Sequence, residues 1–224
     1  MIIVLFLTMI MIVLLLALYP YTCNIEDPFT NNNSSSKNIV LIGDSILNNS
    51  AYVLANQSVP DLLSKELSKD VNTVVYNFAK DGSTITDCYT QLDKISTDLN
   101  TSNTTIFLSC GGNNILNSRQ KLDTASTITL FKQYSELIQS IKTRVSNAQL
   151  YVLNLYTPVN THYTSYHSTI EQWNKLLEDN ASSLGYTLIN ISSLLVLEDD
   201  FAYNIEPSYK GGQKIVSKLY SIIN

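Results

Sequence analysis

The sequence predicts an α/β fold, a five-stranded parallel sheet flanked by helices and preceded by an N-terminal hydrophobic helix. Three observations carry that prediction. After residue 37, apolar runs of strand length alternate with stretches of helical periodicity. The first three predicted strands each run into a short polar turn containing glycine. Met1 to Tyr19 holds a single polar residue, Thr8.

The N-terminal stretch comes first. As a helix, residues 1–19 would span roughly 28 Å, close to the hydrocarbon thickness of a bilayer. It has no Lys or Arg, and no convincing small-residue cleavage site precedes Cys23. This favours an uncleaved signal anchor over a cleaved signal peptide, and so a single-pass membrane protein over a secreted one. Glu26 and Asp27 follow directly and the first basic residue is Lys37, which places the domain on the extracytoplasmic or lumenal side. Residues 20–37 read as a flexible linker because of the Asn31–Ser36 run of Asn and Ser. Eight N-x-S/T sequons (Asn32, Asn33, Asn48, Asn56, Asn100, Asn103, Asn180 and Asn190) carry little weight in a chain so rich in Asn, Ser and Thr.

Residues 38–224 form the predicted domain. Asn38–Gly43 is an apolar strand, and Leu62, Leu63, Glu66 and Leu67 mark a helix opening near Pro60. Val71–Ala79 is a second strand and Ile85–Ile95 an amphipathic helix. Thr104–Cys110 is a third strand, followed by a long helix marked by Leu130, Tyr134, Leu137, Ile138, Ile141 and Val145. Leu150–Tyr156 is a fourth strand stopped by Pro158, and Ile170, Trp173, Leu177, Ala181 and Leu184 mark the next helix. Tyr186–Ile191 is the fifth strand, and Ile215, Val216, Leu219, Ile222 and Ile223 give a C-terminal helix. Strands alternating with helices imply a parallel sheet covered on both faces. Such a sheet puts its site outside the carboxyl ends of its strands.

Composition narrows the function. The net charge is −5 and no basic run appears, which argues against a nucleic-acid partner. Three cysteines make no disulfide framework; Cys88 and Cys110 fall at core-facing positions. Without a CxxC or His/Cys cluster, neither a zinc site nor another cofactor is expected.

The strand ends carry Gly43-Asp44-Ser45, Asp81-Gly82-Ser83 and Gly111-Gly112-Asn113-Asn114. Glycine lets a turn tighten and a backbone N–H approach a ligand. A serine beside such N–H groups and an Asn amide has the parts for acyl transfer: a hydroxyl to attack and donors to hold an oxyanion. Ser45 alone would also suit a helix N-cap, and Gly82 and Asn113 suit ordinary turns. A cap does not account for three such turns on one edge.

These residues, in order, resemble the conserved blocks of the SGNH/GDSL hydrolase family. Leu41-Ile42-Gly43-Asp44-Ser45-Ile46 is similar to block I, Gly82 to the block II glycine, and Gly111-Gly112-Asn113-Asn114 to the block III GxND pattern, with Asn114 where Asp is usual. Ile205-Glu206-Pro207-Ser208 followed by Gly211-Gly212 resembles block V, and specifically a subgroup carrying IEPS in place of the histidine motif. The resemblance implies a flavodoxin-like SGNH hydrolase fold and hydrolysis of carboxylic esters without a cofactor. It implies Ser45 as nucleophile and an oxyanion hole from the Ser45 N–H, the Gly82 N–H and the Asn113 side chain.

Block V departs from the family pattern. Glu206 stands at the position of the general-base histidine, and Tyr203 at that of its acidic partner. A free Glu titrates near 4.3 against about 6.5 for His, a weaker base by roughly 3 kcal/mol of proton affinity, which burial can recover. Three readings follow: Glu206 is the base; His162 or His167, which leave the same sheet edge, substitutes; or the chain is a catalytically inactive binding protein at a membrane surface. The expected substrate is a small-molecule, lipid or sugar ester, and Tyr156, Tyr163 and Tyr166 offer rings to stack on a sugar or line an acyl groove.

Overall fold

A computed structural model describes residues 36–69, 72–118 and 121–223. The expected membrane helix at 1–19, most of the linker, Cys23 and the sequons at Asn32 and Asn33 lie outside them. Among the described residues no helix is long and apolar enough to cross a membrane.

The main sheet has five strands: β1 (Lys37–Gly43), β2 (Thr73–Asn77), β3 (Thr104–Ser109), β4 (Gln149–Leu153) and β5 (Thr187–Ile189). Their order is β2-β1-β3-β4-β5, and all are parallel. Side chains alternate between faces along a strand, yet Ile39, Val40, Leu41 and Ile42 are all buried. Both faces of the sheet are therefore covered, the arrangement that allows a continuous apolar run. On the edge strand β2 the alternation is looser, and Val74 is exposed.

Six helices complete the described domain: α1 (Val59–Leu67), α2 (Ile85–Leu92), α3 (Gly112–Leu116), α4 (Thr124–Arg144), α5 (His167–Leu184) and α6 (Tyr209–Ile223). Helix α1 packs against α6, while α4 packs against both α2 and α5. Helix α1 starts at a capping box of Ser58 and Asp61, with Pro60 in its first turn where its missing N–H costs nothing. Trp173 of α5 is fully buried against Phe131 and Tyr134 of α4. Cys88 and Cys110 are buried, as their positions predict.

Strands end earlier than the apolar runs suggest, for reasons seen in the hydrogen bonds. The Phe78 and Ala79 N–H groups both turn to the Leu41 carbonyl, which takes them out of the ladder after Asn77. Beyond Leu153, the Asn174 side chain accepts from the Leu155 N–H at 2.9 Å and donates to its carbonyl at 2.6 Å, replacing a strand partner. Two elements have no sequence counterpart. Helix α3 is too short to show periodicity. The hairpin of β6 (Phe201–Ala202) and β7 (Glu206–Pro207) pairs Ala202 with Glu206 across a turn in which Tyr203 and Asn204 have φ of 50° and 69°.

Candidate active site

Ser45 follows β1 at the carboxyl edge of the sheet, one residue beyond Gly43-Asp44. Gly43 is obligatory there: a Cβ would sit 1.8 Å from the Ser109 carbonyl oxygen of β3. The buried Gln91 amide clamps this turn, accepting from the Gly43 N–H at 2.7 Å and donating to the Gly43 carbonyl at 2.9 Å. The same nitrogen donates to the Ser83 hydroxyl at 3.0 Å, which locks the first turn to the second. The third turn joins them from α3. Asn113 Nδ2 donates to the Ser83 carbonyl at 3.0 Å, and Asn114 Oδ1 accepts from the Ile85 N–H at 2.9 Å. Asn114, where the family pattern has Asp, therefore serves as a connector to the start of α2.

Two backbone donors remain open. Among the described residues, neither the Ser45 nor the Gly82 N–H has a protein acceptor. Gly82 takes φ of 78°, which favours glycine, and nothing lies within 4 Å of where a Cβ would be. Open N–H groups at an edge are what a developing oxyanion requires.

Glu206, on β7, lines the same cavity as Ser45. Its position is fixed through its neighbour: Asn49 Nδ2 donates to the Pro207 carbonyl at 3.0 Å, and Asn49 Oδ1 accepts from the Val59 N–H at 2.8 Å. Burial lifts the Glu206 pKa above its ordinary 4.5, and the charge of Asp81 pushes the same way. The hydroxyls of Ser45 and Tyr52 oppose that rise as hydrogen-bond donors, and the net direction is upward. Asp44 is a second buried carboxyl. Burial pushes it from 3.8 to about 7, against hydrogen bonds from the Ile46 N–H and the Ser109 hydroxyl, both at 3.1 Å.

Ser45, Asn113 and Glu206 line one cavity, whose other walls include Ile46, Ile115, Leu155, Tyr156 and Ile170. It is narrow. Its volume is about 40 Å³. Tyr156 closes one side, its hydroxyl donating to the Ile205 carbonyl at 2.6 Å and its ring packed on Phe201.

Neither histidine lines this cavity. His162 is exposed and packs edge-on against Tyr163. His167 begins α5, with Nε2 3.1 Å from the Pro158 carbonyl. Sequence reasoning passed over Tyr52, Gln91 and Asn49, and quoted Asp81 only as part of the second turn. The first three are polar residues outside the recognised motifs, and no local spacing ties them to the serine. Among the described residues, no group of three or more His, Cys, Asp or Glu could hold a metal ion.

A parallel sheet in this order, with a serine turn after its first strand, is the SGNH hydrolase fold. The chain belongs to the GDSL-like lipase/acylhydrolase family, whose profile matches residues 41–213. The fold is similar to that of a member of the lipolytic G-D-S-L family from Veillonella parvula, with a TM-score of 0.66 at 17% identity over 84% of this chain and 98% of that one. An extracellular lipase from Streptomyces rimosus gives 0.61 at 16% identity, over 83% of this chain and 99% of the other. The psychrotrophic esterase EstA from a Pseudoalteromonas species, solved with a monoethylphosphonate inhibitor, gives 0.61 at 15% identity over 83% and 96%. No curated protein gives a significant match.

Proposed function

We propose that the protein hydrolyses carboxylic esters with a small acyl group, using Ser45 as nucleophile and Glu206 as general base. One observation carries the reading: Ser45, Asn113 and Glu206 line one cavity at the carboxyl edge of the sheet. Ser45 Oγ attacks the ester carbonyl carbon as Glu206 takes its proton. The Ser45 and Gly82 N–H groups and the Asn113 amide hold the tetrahedral oxyanion. Protonated Glu206 then gives its proton to the departing alcohol, and water repeats the sequence on the acyl-enzyme. The raised pKa suits this role, because a carboxylate lifted toward neutrality is a stronger base.

The narrow apolar cavity supports a short acyl group, and a lipid or a sugar fits the alcohol side. Residues 1–19 are proposed to tether the domain to a membrane on its extracytoplasmic or lumenal side.

The test uses the full-length chain in detergent, with p-nitrophenyl acetate turnover and labelling by a fluorophosphonate serine probe. Ser45→Ala abolishes both. Glu206→Gln lowers kcat/KM by roughly 10²–10⁴-fold, Glu206→His is tolerated, and His162→Ala and His167→Ala stay active. Full activity in Glu206→Gln sinks the glutamate base, and loss in either histidine variant transfers the role to that residue. Folded protein that neither labels nor turns over any ester between pH 5 and 9 is an inactive binding protein.

A further inference from the structure

We propose that a groove beside the catalytic cavity receives the alcohol portion of the ester, and that this portion is an uncharged aliphatic chain. The proposal rests on the reading of Ser45 and Glu206 as nucleophile and base. The cavity that those two residues line has a volume of about 40 Å³, too little for the larger half of a substrate. A second cavity, of about 550 Å³, lies behind one layer of rings. Tyr156 lines the first and Phe201 the second, and the two rings pack with centroids 5.1 Å apart. The chain steps from one cavity to the other twice. Pro158 lines the first and Val159 the second; Ile205 lines the first and Asn204 the second.

The direction of the substrate follows from the proton. The group that protonates a departing alcohol must stand within reach of that alcohol's oxygen. Glu206 is on β7, and the groove is lined by β6 and the turn of the same hairpin, through Phe201, Tyr203 and Asn204. An alcohol chain that runs from Glu206 along its own hairpin enters the groove. The acyl group, on the other side of the carbonyl carbon, stays in the narrow cavity with Asn113.

The lining identifies the chemistry. Eight large apolar side chains are exposed among the described residues, and four of them line this groove: Val159, Val196, Leu197 and Tyr203, between 43% and 75% exposed. Scattered apolar side chains on a surface mean little, but apolar side chains gathered in one concavity mark a binding site. Glu198 is the only charged residue of the lining, which disfavours a phosphorylated or other anionic alcohol. A sugar would need free polar side chains, and the Asn160 Oδ1 is already taken by the His162 N–H at 2.9 Å. The apolar wall is also preset. The Val196 and Leu197 N–H groups donate to the buried Asp200 carboxylate at 3.0 and 2.9 Å, and Lys214 Nζ pairs with that carboxylate at 2.7 Å. An entering chain therefore meets a surface that needs little ordering.

The experiment follows ester hydrolysis by pH-stat, with the full chain in lipid nanodiscs. The substrates are ethyl, butyl and hexyl acetate, with ethyl hexanoate, an acetylated methyl glycoside and p-nitrophenyl acetate alongside. Each methylene placed in the groove raises kcat/KM by up to about fourfold, so hexyl acetate exceeds ethyl acetate by at least about tenfold. Val159→Ser and Leu197→Ser, both at exposed positions, each lower that ratio about threefold, chiefly through KM. Ile128→Ser, equally exposed on α4 and outside the groove, keeps it. Thermal unfolding shows that each variant is folded. A wild type without a preference for the hexyl ester, or a preference that both groove variants keep, overturns the proposal. So does a preference for ethyl hexanoate over ethyl acetate that the groove variants abolish, which would put the acyl chain in the groove. A glycoside ester that outpaces hexyl acetate and is slowed by those variants puts a sugar there and overturns it too. A chain that turns over p-nitrophenyl acetate with any of these results loses the groove and keeps its nucleophile. A chain that hydrolyses no ester loses both.

Discussion

Asp44→Asn stabilises the protein at neutral and alkaline pH, and the gain vanishes in acid. Asp44 is 1% exposed, so its burial is not relieved by solvent. Its pKa is about 7 in the folded protein against an ordinary 3.8. A raised folded-state pKa means that the native state holds the proton more tightly than the unfolded chain. The associated stability is complete below pH 3.8, declines between 3.8 and about 7, and is fully lost above that. Roughly three pH units at 1.36 kcal/mol each set a ceiling of about 4 kcal/mol on the cost of ionising Asp44. Asparagine keeps an oxygen to accept from the Ile46 N–H and the Ser109 hydroxyl, and it cannot ionise. Allowing for relaxation around the charge, the expected gain at pH 8 is about 2–4 kcal/mol, or ~5–10 °C in Tm for a domain of this size. Thermal unfolding of both proteins at pH 4, 6 and 8 reads it out. An equal gain at pH 4 and 8, or a loss at pH 8, refutes the argument that ionisation is the cost.

Asn113→Ala removes one proposed oxyanion donor, and kcat falls by roughly 10²-fold with little change in KM in the p-nitrophenyl acetate assay. Asn48 carries no glycan: the residue is buried, its Oδ1 accepts from Asn77 and its Nδ2 donates to Ser50 at 2.8 Å, so a sugar on that nitrogen would have no room without breaking this packing. Peptide mass mapping of active protein checks this, and a modified Asn48 would falsify that packing.

The sheet was legible because its physics is local. Ile39 to Ile42 form a continuous apolar run only because both faces are covered, and that run is visible in the sequence. The three turns were legible because each needs glycine or a short amide at a strand end. What supports them was not. Gln91 touches Gly43 from 48 positions away, and Asn49 touches Pro207 from 158 away. The β6–β7 hairpin was equally hidden, since a two-residue strand has no periodicity. Its turn relies on Tyr203 at positive φ, which tyrosine rarely adopts, whereas the adjacent Asn204 is the expected occupant of that region.

On the proposed mechanism, a glutamate at the block V position has a physical logic of its own. A neutral imidazole becomes a cation when it takes a proton, and a nearby carboxylate stabilises that cation. A glutamate taking the same proton becomes neutral, so an acidic partner would serve no such purpose. A base of this type needs partial burial to raise its affinity for the proton and a neutral donor to fix its direction. As the proposed base, Glu206 draws the first from the wall of the cavity it lines. Asp200 is then free to pair with Lys214 and to accept the Val196 and Leu197 N–H groups ahead of the hairpin. If Glu206 is the base, as proposed, it has no need of the acid that the family pattern places three residues earlier, where this chain has Tyr203.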